Sequence, residues 1–338
     1  LVDQELLLPR SYCKDMFWIF DEAHLLKNPK TRRRQMANAI VTDTTYRVLM
    51  TGTPLPNEPE EAWNLLSFLY PNFMSKSKFQ TTFMGVRYTQ NGKEVTENTN
   101  YQGLNRWLYE TCFIRRTKQQ VQSQLPAKIR ESQFVKDNPV YIEANSIFEL
   151  YSKSAQAKST DRDFISWIEI ILEEIPDKIV FFAEHKCMIK SLQNILIKKG
   201  YRFITIDGST DPTDRQDLAN TFGADPTIKG CILSTAVGGT GLNGLQAAPY
   251  CVFTELNMVP GVMLQAEDRC HRPGLAKTLT ILYGIFSELE MRLSELLLDK
   301  LGVIQRVIGH DEIPDHIKKQ RLMQALSVKF GLPLGNRL

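Results

Sequence analysis

Apolar residues fall in short clusters along this chain. Between Lys178 and Lys300, β-rich runs alternate with amphipathic stretches. Ile179–Phe182, Phe203–Ile206, Cys231–Ser234, Tyr250–Thr254 and Leu279–Tyr283 predict strands. Lys186–Lys199, Thr213–Phe222, Met263–Arg269 and Glu288–Leu301 predict helices. The second helix has a start signal, with Asp211 able to cap, Pro212 suited to the first turn and Asp214 adding negative charge there. Strand–helix alternation over this length predicts a doubly wound parallel sheet. In such sheets the chemistry lies at the carboxyl ends of the strands.

The first hundred residues repeat the pattern on a smaller scale. Met16–Phe20 predicts a buried strand ending at Asp21, and Arg47–Met50 a second ending at Thr51, with a helix between them. Residues 75–105 are polar, carry Asn91-Gly92, and predict a surface insertion. Residues 139–176 hold helical segments leading into the second sheet.

Length and composition narrow the class. A chain of 338 residues has room for about two domains. Its 43% hydrophobic and 23% charged residues exclude a disordered, collagenous or coiled-coil chain. The longest apolar runs are five residues, against the ~20 a membrane helix needs, so no membrane partner is expected. No signal peptide is visible at the start. Six cysteines without a CxxC pair argue against structural zinc and for a reducing compartment. The net charge is only +3, so affinity for nucleic acid must rest on local runs. Lys27, Lys30, Arg32, Arg33 and Arg34 form one such run, read as a solvated face. Arg115, Arg116, Lys118, Lys128 and Arg130 form another, opposed only by Glu131, and suit phosphate tracking.

Three motifs carry candidate chemistry. The strand Met16–Phe20 runs into Asp21-Glu22-Ala23-His24, placing two carboxylates at a sheet edge. One can hold Mg²⁺ through water and the other can orient an attacking water. The next strand ends in Thr51-Gly52-Thr53-Pro54, where a glycine permits a tight turn and hydroxyls can relay hydrogen bonds. Further on, Arg269 and Arg272 stand three apart, which on a helix puts both on one face, one turn after Gln265. Arginine forks suit a triphosphate, although Glu267 and Asp268 would also allow a salt-bridged structural helix.

Together DEAHLLKN and LMTGTPLPN resemble the Swi/Snf family of DNA-dependent ATPases within helicase superfamily two. Further segments agree in order. Phe113–Lys118 with Leu125–Lys128 is similar to the family's crossover, and Asp207–Thr210 with Asp214-Arg215 to its fourth-motif neighbourhood. Ser234-Thr235 with Gly238–Asn243 looks like motif five, and Gln265–Arg272 like motif six. The phrase Thr254–Gly261 is most similar to the annealing-helicase, fork-remodelling branch.

The resemblance implies an α/β fold of tandem RecA-like lobes with parallel sheets, the first lobe partial and the second complete. Residues 1–128 would be the C-terminal part of lobe one, with the insertion at 75–105. Residues 129–175 would form a helical crossover, 176–310 lobe two and 311–338 an extension. It implies an ATP- and Mg²⁺-dependent translocase on duplex or branched DNA, acting without sequence preference. Its home would be the nucleus in a eukaryote, otherwise the cytoplasm or nucleoid. Asp21 would hold Mg²⁺, Glu22 would position water, and Arg269 and Arg272 would reach the nucleotide across a cleft between lobes. His24, Thr51, Gly52, Thr53 and Gln265 would couple nucleotide state to lobe closure. Arg115, Arg116, Lys118, Ser234, Thr235, Gly238, Gly239 and Thr240 would meet the DNA backbone.

One part of the pattern is missing. The 338 residues contain no G-x-x-x-x-G-K-[ST] loop, and Pro273–Thr278 only imitates one. The first residue is Leu1, so the chain is expected to be the C-terminal part of a longer motor and inactive alone. The rivals are a non-catalytic DNA-binding or scaffold module and, less well matched, a DEAH-type RNA helicase. The family's usual Ile and Gln are here Pro273 and Leu275, and the proline would end the helix near Arg272.

Overall fold

Trp18 and Phe20 leave one side of a short strand and Phe17 and Ile19 the other, the period-two alternation of extended chain. This strand is β1 (Phe17–Phe20) of a computed structural model. The structure describes residues 16–41, 46–52, 54–55, 59–89, 92–96, 98–116, 118–135, 140–235, 237, 241–257 and 259–308. Two units divide the chain. The first runs to Ile114 and includes the stretch from Lys300. The second runs from Arg115 to Asp299.

In the first unit, β1 pairs in parallel with β2 (Tyr46–Leu49), Phe17 opposite Tyr46 and Phe20 opposite Leu49. Helix α1 (Arg32–Ile40) lies between them in sequence, with Thr31 Oγ1 accepting from Arg34 N at its start. Helix α2 (Glu61–Leu69) contributes Leu65 and Phe68. These join Leu26, Ala37 and Val41 against Trp18, Phe20 and Leu49. The opposite face is bare: Phe17 is 59%, Ile19 58% and Tyr46 59% exposed. The expectation of a buried strand at Met16–Phe20 is therefore corrected to a half-covered one. Among the described residues, helices cover only one side of this sheet.

The 75–105 segment is more than a polar insertion. It folds as α3 (Lys76–Phe83), the antiparallel hairpin β3 (Val86–Thr89) and β4 (Gly92–Val95), and the start of α4 (Tyr101–Thr111). Phe79, Phe83, Leu104 and Leu108 build its core. The first basic run is also only partly a solvated face. Arg34 is buried, donates from Nη1 to the carbonyls of Leu26 (2.8 Å) and Asn64 (2.9 Å), and lies 4.4 Å over the Phe68 ring.

The second unit opens with the short helix α5 (Lys118–Val121) and is built on six parallel strands. These are β5 (Lys128–Phe134), β6 (Ile179–Ala183), β7 (Arg202–Ile206), β8 (Ile228–Ser234), β9 (Tyr250–Phe253) and β10 (Leu279–Ile285), in the order β5-β10-β9-β6-β8-β7. Five apolar residues without a polar face suit a strand buried on both sides, and all five of β6 are fully buried. Val180 and Phe182 face one core, and Ile179, Phe181 and Ala183 the other. Helices α6 (Ile147–Thr160), α9 (Arg215–Ala224), α10 (Pro260–Cys270) and α11 (Glu288–Ile308) feed the first core. Helices α7 (Arg162–Glu174) and α8 (Lys186–Lys198) feed the second. This is the expected α/β class with a complete parallel second sheet.

Two boundaries differ from the sequence reading. The first unit ends near Ile114 rather than at 128, because Lys128–Phe134 pairs in parallel with β10 along its whole length. Helix α9 starts at Arg215, since Asp211 Oδ1 accepts from Thr213 N (2.9 Å) and holds a local turn instead of a helix cap. Among the described residues no helix is long and apolar enough to cross a membrane.

Gly244 sits at φ +107°, and a Cβ there would stand 2.3 Å from the Ala219 carbonyl oxygen of α9. Gly244→Ala should destabilise the second unit by ~1–3 kcal/mol or more. A lower urea midpoint with an unchanged slope is the expected result. Gly208→Ala, which meets nothing within 4 Å, should stay within about 0.5 kcal/mol.

Candidate functional site

The acid box sits where the sequence puts it, at the carboxyl end of β1. The parallel ladder continues past the strand ends: Met50 N donates to Phe20 O (2.8 Å) and Ala23 N to Met50 O (2.9 Å). These bonds lock Asp21–Ala23 beside Thr51-Gly52. Asp21 is exposed, and its Oδ1 accepts from Glu22 N at 2.8 Å. Glu22 has φ 48° and ψ 43°, and is the one described non-glycine residue in the left-handed region. Such a conformation persists only where its surroundings over-determine it, and it clusters at functional sites. His24 Nδ1 lies 3.0 Å from Thr51 Oγ1 and 3.3 Å from Glu22 Oε2. Burial lowers the His24 pKa, so a neutral ring links the glutamate to the threonine. Thr53 lies outside the described residues.

In the second unit, α10 carries Gln265, Glu267, Asp268 and Arg269. Arg269 is buried at 4% exposure. The helix ends at Cys270, so Arg272 is not on its face as the spacing predicted. Pro273 disfavours helical backbone at the residue before it, and the chain leaves the helix earlier still. Arg272 turns onto the loop after β8, with Nη1 donating to Leu242 O (3.0 Å) and Asn243 Oδ1 (2.8 Å).

The two acids of α10 bind the second basic run. Glu267, 1% exposed, receives Arg130 through Nη2 (2.7 Å) and Nε (3.1 Å), Lys128 Nζ at 3.3 Å, and the Tyr283 hydroxyl. Asp268 holds Lys118 Nζ at 2.8 Å, which also donates to His271 O at 2.8 Å. Burial lowers the His271 pKa, and its Nε2–H donates to Pro126 O at 2.8 Å. Glu131 is therefore not the sole acid opposing this run, and Lys118, Lys128 and Arg130 are engaged within their own unit. Arg116 is exposed.

Ser234 and Thr235 lie buried at the carboxyl end of β8, where Thr235 N donates to Ala183 O at 3.0 Å. Gly238, Gly239 and Thr240 lie outside the described residues. One cluster was missed in the sequence. Glu184 and His185 follow β6 as Asp21 and Glu22 follow β1, and Glu255 is buried beside them. The apolar strand ending in an acid and a histidine was the signal that could have found it.

The SNF2-related domain family matches residues 9–172, and the helicase conserved C-terminal domain family matches residues 163–274. This order defines the class as the paired helicase-type domains of SNF2-related proteins. The chain belongs to the SNF2-related, Swi/Snf family, and its relatives include proteins named DNA annealing helicases. A Xenopus tropicalis relative is the SWI/SNF-related matrix-associated actin-dependent regulator of chromatin subfamily A-like protein 1. It is 31% identical over 288 residues, covering 78% of this chain and 30% of that protein. The human DNA annealing helicase and endonuclease ZRANB3 is 30% identical over 294 residues, covering 79% of this chain and 27% of that protein. The chain thus spans 30% of the length of the first vertebrate relatives it matches. A solved structure of the C-terminal part of the Fun30 ATPase domain is similar with a TM-score of 0.38 and 23% identity, covering 54% of this chain and 62% of that one.

Removing Glu267 would leave Lys128, 6% exposed, and Arg130 facing each other without their shared carboxylate. Glu267→Ala should therefore destabilise the second unit by ~3–5 kcal/mol, the range for breaking a buried ion pair from one side. Chemical denaturation measures it, and a change under about 1 kcal/mol would mean that the site relaxes into water.

Proposed function

We propose that the chain is part of an ATP-dependent motor that moves on duplex or branched DNA without base preference. The observation that carries this reading is the acid box, an exposed aspartate beside a left-handed glutamate, with His24 joining that glutamate to Thr51. In the proposal Asp21 holds Mg²⁺ through water. A single exposed carboxylate fits an ion that keeps several waters and takes its other ligands from phosphates. Bound Mg²⁺ would neutralise phosphate charge.

Glu22 would orient the attacking water and take its proton. Arg269 and Arg272 would stabilise charge developing on the γ-phosphate, and His24, Thr51, Gly52, Thr53 and Gln265 would couple nucleotide state to movement. Arg115, Arg116, Ser234, Thr235, Gly238, Gly239 and Thr240 would meet the DNA backbone. Lys118, held by Asp268, would instead brace α10. In a eukaryote this activity belongs in the nucleus.

Residues 1–338 contain no phosphate-binding loop, and by themselves should release no phosphate from ATP, with or without DNA. Turnover that disappears in Glu22→Gln would overturn that expectation. Joined to a relative's segment that supplies the loop, the chain should gain DNA-stimulated turnover. Arg269→Ala or Arg272→Ala should then lower kcat by ~10²-fold or more, with little change in ATP affinity. Full turnover in both variants would remove the catalytic reading and favour a DNA-binding scaffold.

DNA binding by residues 1–338 should weaken as salt rises, because neutralising phosphates releases counterions. Fluorescence anisotropy on duplexes of unrelated sequence should give similar affinities. Arg116→Ala should reduce the salt slope, and Lys118→Ala should not, since its ammonium is already paired. A slope lowered only by Lys118→Ala would place the DNA elsewhere.

A further inference from the structure

The corner between β6 and α8 is wired to the start of α10 through a partly buried polar chain, in which Glu184, His185 and Asn257 are half-buried. Glu255, in the loop after β9, is 2% exposed. Its Oε2 accepts from the backbone N–H of Glu184 (2.7 Å) and of His185 (3.0 Å), and its Oε1 lies 2.5 Å from His185 Nδ1. His185 is the residue before α8 and has no side-chain cap bond of its own, so the Glu255 carboxylate supplies negative charge at that helix start. Glu184 Oε2 accepts from Asn257 Nδ2 at 2.7 Å. The Tyr151 hydroxyl of α6 stands 3.1 Å from the same oxygen and 2.8 Å from Leu256 O. Asn257 completes the path, because its Oδ1 accepts from Val259 N (2.8 Å) and its own N–H lies 3.4 Å from Met263 Sδ. Val259 immediately precedes α10, and Met263 lies within it.

Such a network does more than satisfy buried groups. Each bond fixes a distance and a direction, and a hydrogen-bonded polar network rigidifies the segments it joins. Among the described residues of this loop, Thr254–Asn257 and Val259 have no regular structure of their own. Where α10 starts, and so where Gln265 and Arg269 are carried, is set by what holds this loop.

We propose that Glu255, Glu184 and Asn257 are positioning residues that fix the start of α10 and make its placement follow the β6–α8 corner. The catalytic meaning of that link rests on the motor reading, whereas the link itself does not. If the corner responds to DNA and α10 to nucleotide, these three side chains carry the signal between them inside one unit.

His185 provides a handle on the corner. Its bond to Glu255 raises the ring's pKa above the ordinary histidine value, against the opposing effect of burial. The groups facing it are Glu255, Glu184 at the end of β6, and Tyr151 and Ser152 of α6. Cys187 of α8 and Glu290 of α11 stand near enough to feel Glu255. Burial also raises Glu184, so Glu184→Gln separates its titration from that of the ring.

The test uses residues 1–338 labelled at the methionine methyls, with Met263 assigned through Met263→Leu. The Met263 signal and the His185 ring are followed from about pH 5 to about pH 8. In the parent chain and in Glu184→Gln, the Met263 signal should shift with the midpoint of the His185 ring. In Asn257→Ala the ring should still titrate while the Met263 signal loses that shift. In Glu255→Gln the ring midpoint should fall and Met263 should again stay flat. Should Glu255→Gln not fold, Asn257→Ala, which leaves the His185–Glu255 bond in place, still decides. A Met263 signal that ignores His185 in the parent chain, or still follows it in Asn257→Ala, overturns the proposal. No arm involves ATP turnover, so failure of the link and failure of the motor reading are seen separately.

Discussion

A buried carboxylate must gather cations and hydroxyls around it, and in the second unit that demand falls on Glu267. With 1% exposure it draws Arg130 and Lys128 from β5 and the Tyr283 hydroxyl from β10 onto one residue of α10. Burial raises the Tyr283 pKa, which keeps its hydroxyl a donor to that carboxylate. Desolvation of this kind is offset only when the geometry satisfies every lone pair. The outcome is directional: the edge strand β5 can add to β10 only in the register that brings Arg130 under α10. Lys118 on Asp268 and His271 on Pro126 then tie down the segment that precedes β5. The place of residues 118–134 in this unit follows from two acids of the QAEDR phrase.

The first unit solves a different problem. Among the described residues its parallel sheet has two strands and one packed face, lined by Trp18, Phe20 and Leu49, which makes a weak sheet. What organises the acid box is the backbone ladder beyond the strands, where Phe20, Met50 and Ala23 exchange bonds in sequence. It carries the chain around Asp21 and holds Glu22 in a conformation that glycine would adopt more readily. The ladder sets the backbone direction from which the Glu22 side chain leaves, without a deep core beneath it.

Much of this was legible beforehand, and the misses share a cause. Strands such as Ile179–Ala183 and Tyr250–Phe253 were readable because continuous apolar runs have few other solutions. β5 was not, since KIRESQF has two strong apolar residues and takes its place from Glu267, which lies more than 130 positions away. The buried state of Arg34 escaped notice for the same reason, because its partners are carbonyls of Leu26 and Asn64 and a Phe68 ring. The acid box and Gln265–Arg269 could be read from local spacing, but the early helix end that redirects Arg272 depends on what surrounds it. Glu255 was hidden because a lone acid in TELN carries no pattern. Only the fold brings it against Glu184 and His185.

The same long-range pairing changes how the charge of the chain is understood. Counting Lys and Arg along the sequence gives two basic runs, and both lose members once the chain folds. Arg34 donates to backbone carbonyls and Lys27 pairs with Glu61, while Lys118, Lys128 and Arg130 face Glu267 and Asp268. Lys158 is fully buried against Glu290 and the Gly284 carbonyl. Affinity for a polyanion scales with the phosphates neutralised, which only cations able to reach solvent can do. The exposed Lys30, Arg32, Arg33 and Arg116 therefore weigh more than their number suggests. The net charge of +3 is a sum over the whole chain, whereas the cations left facing solvent set the charge a polyanion would meet.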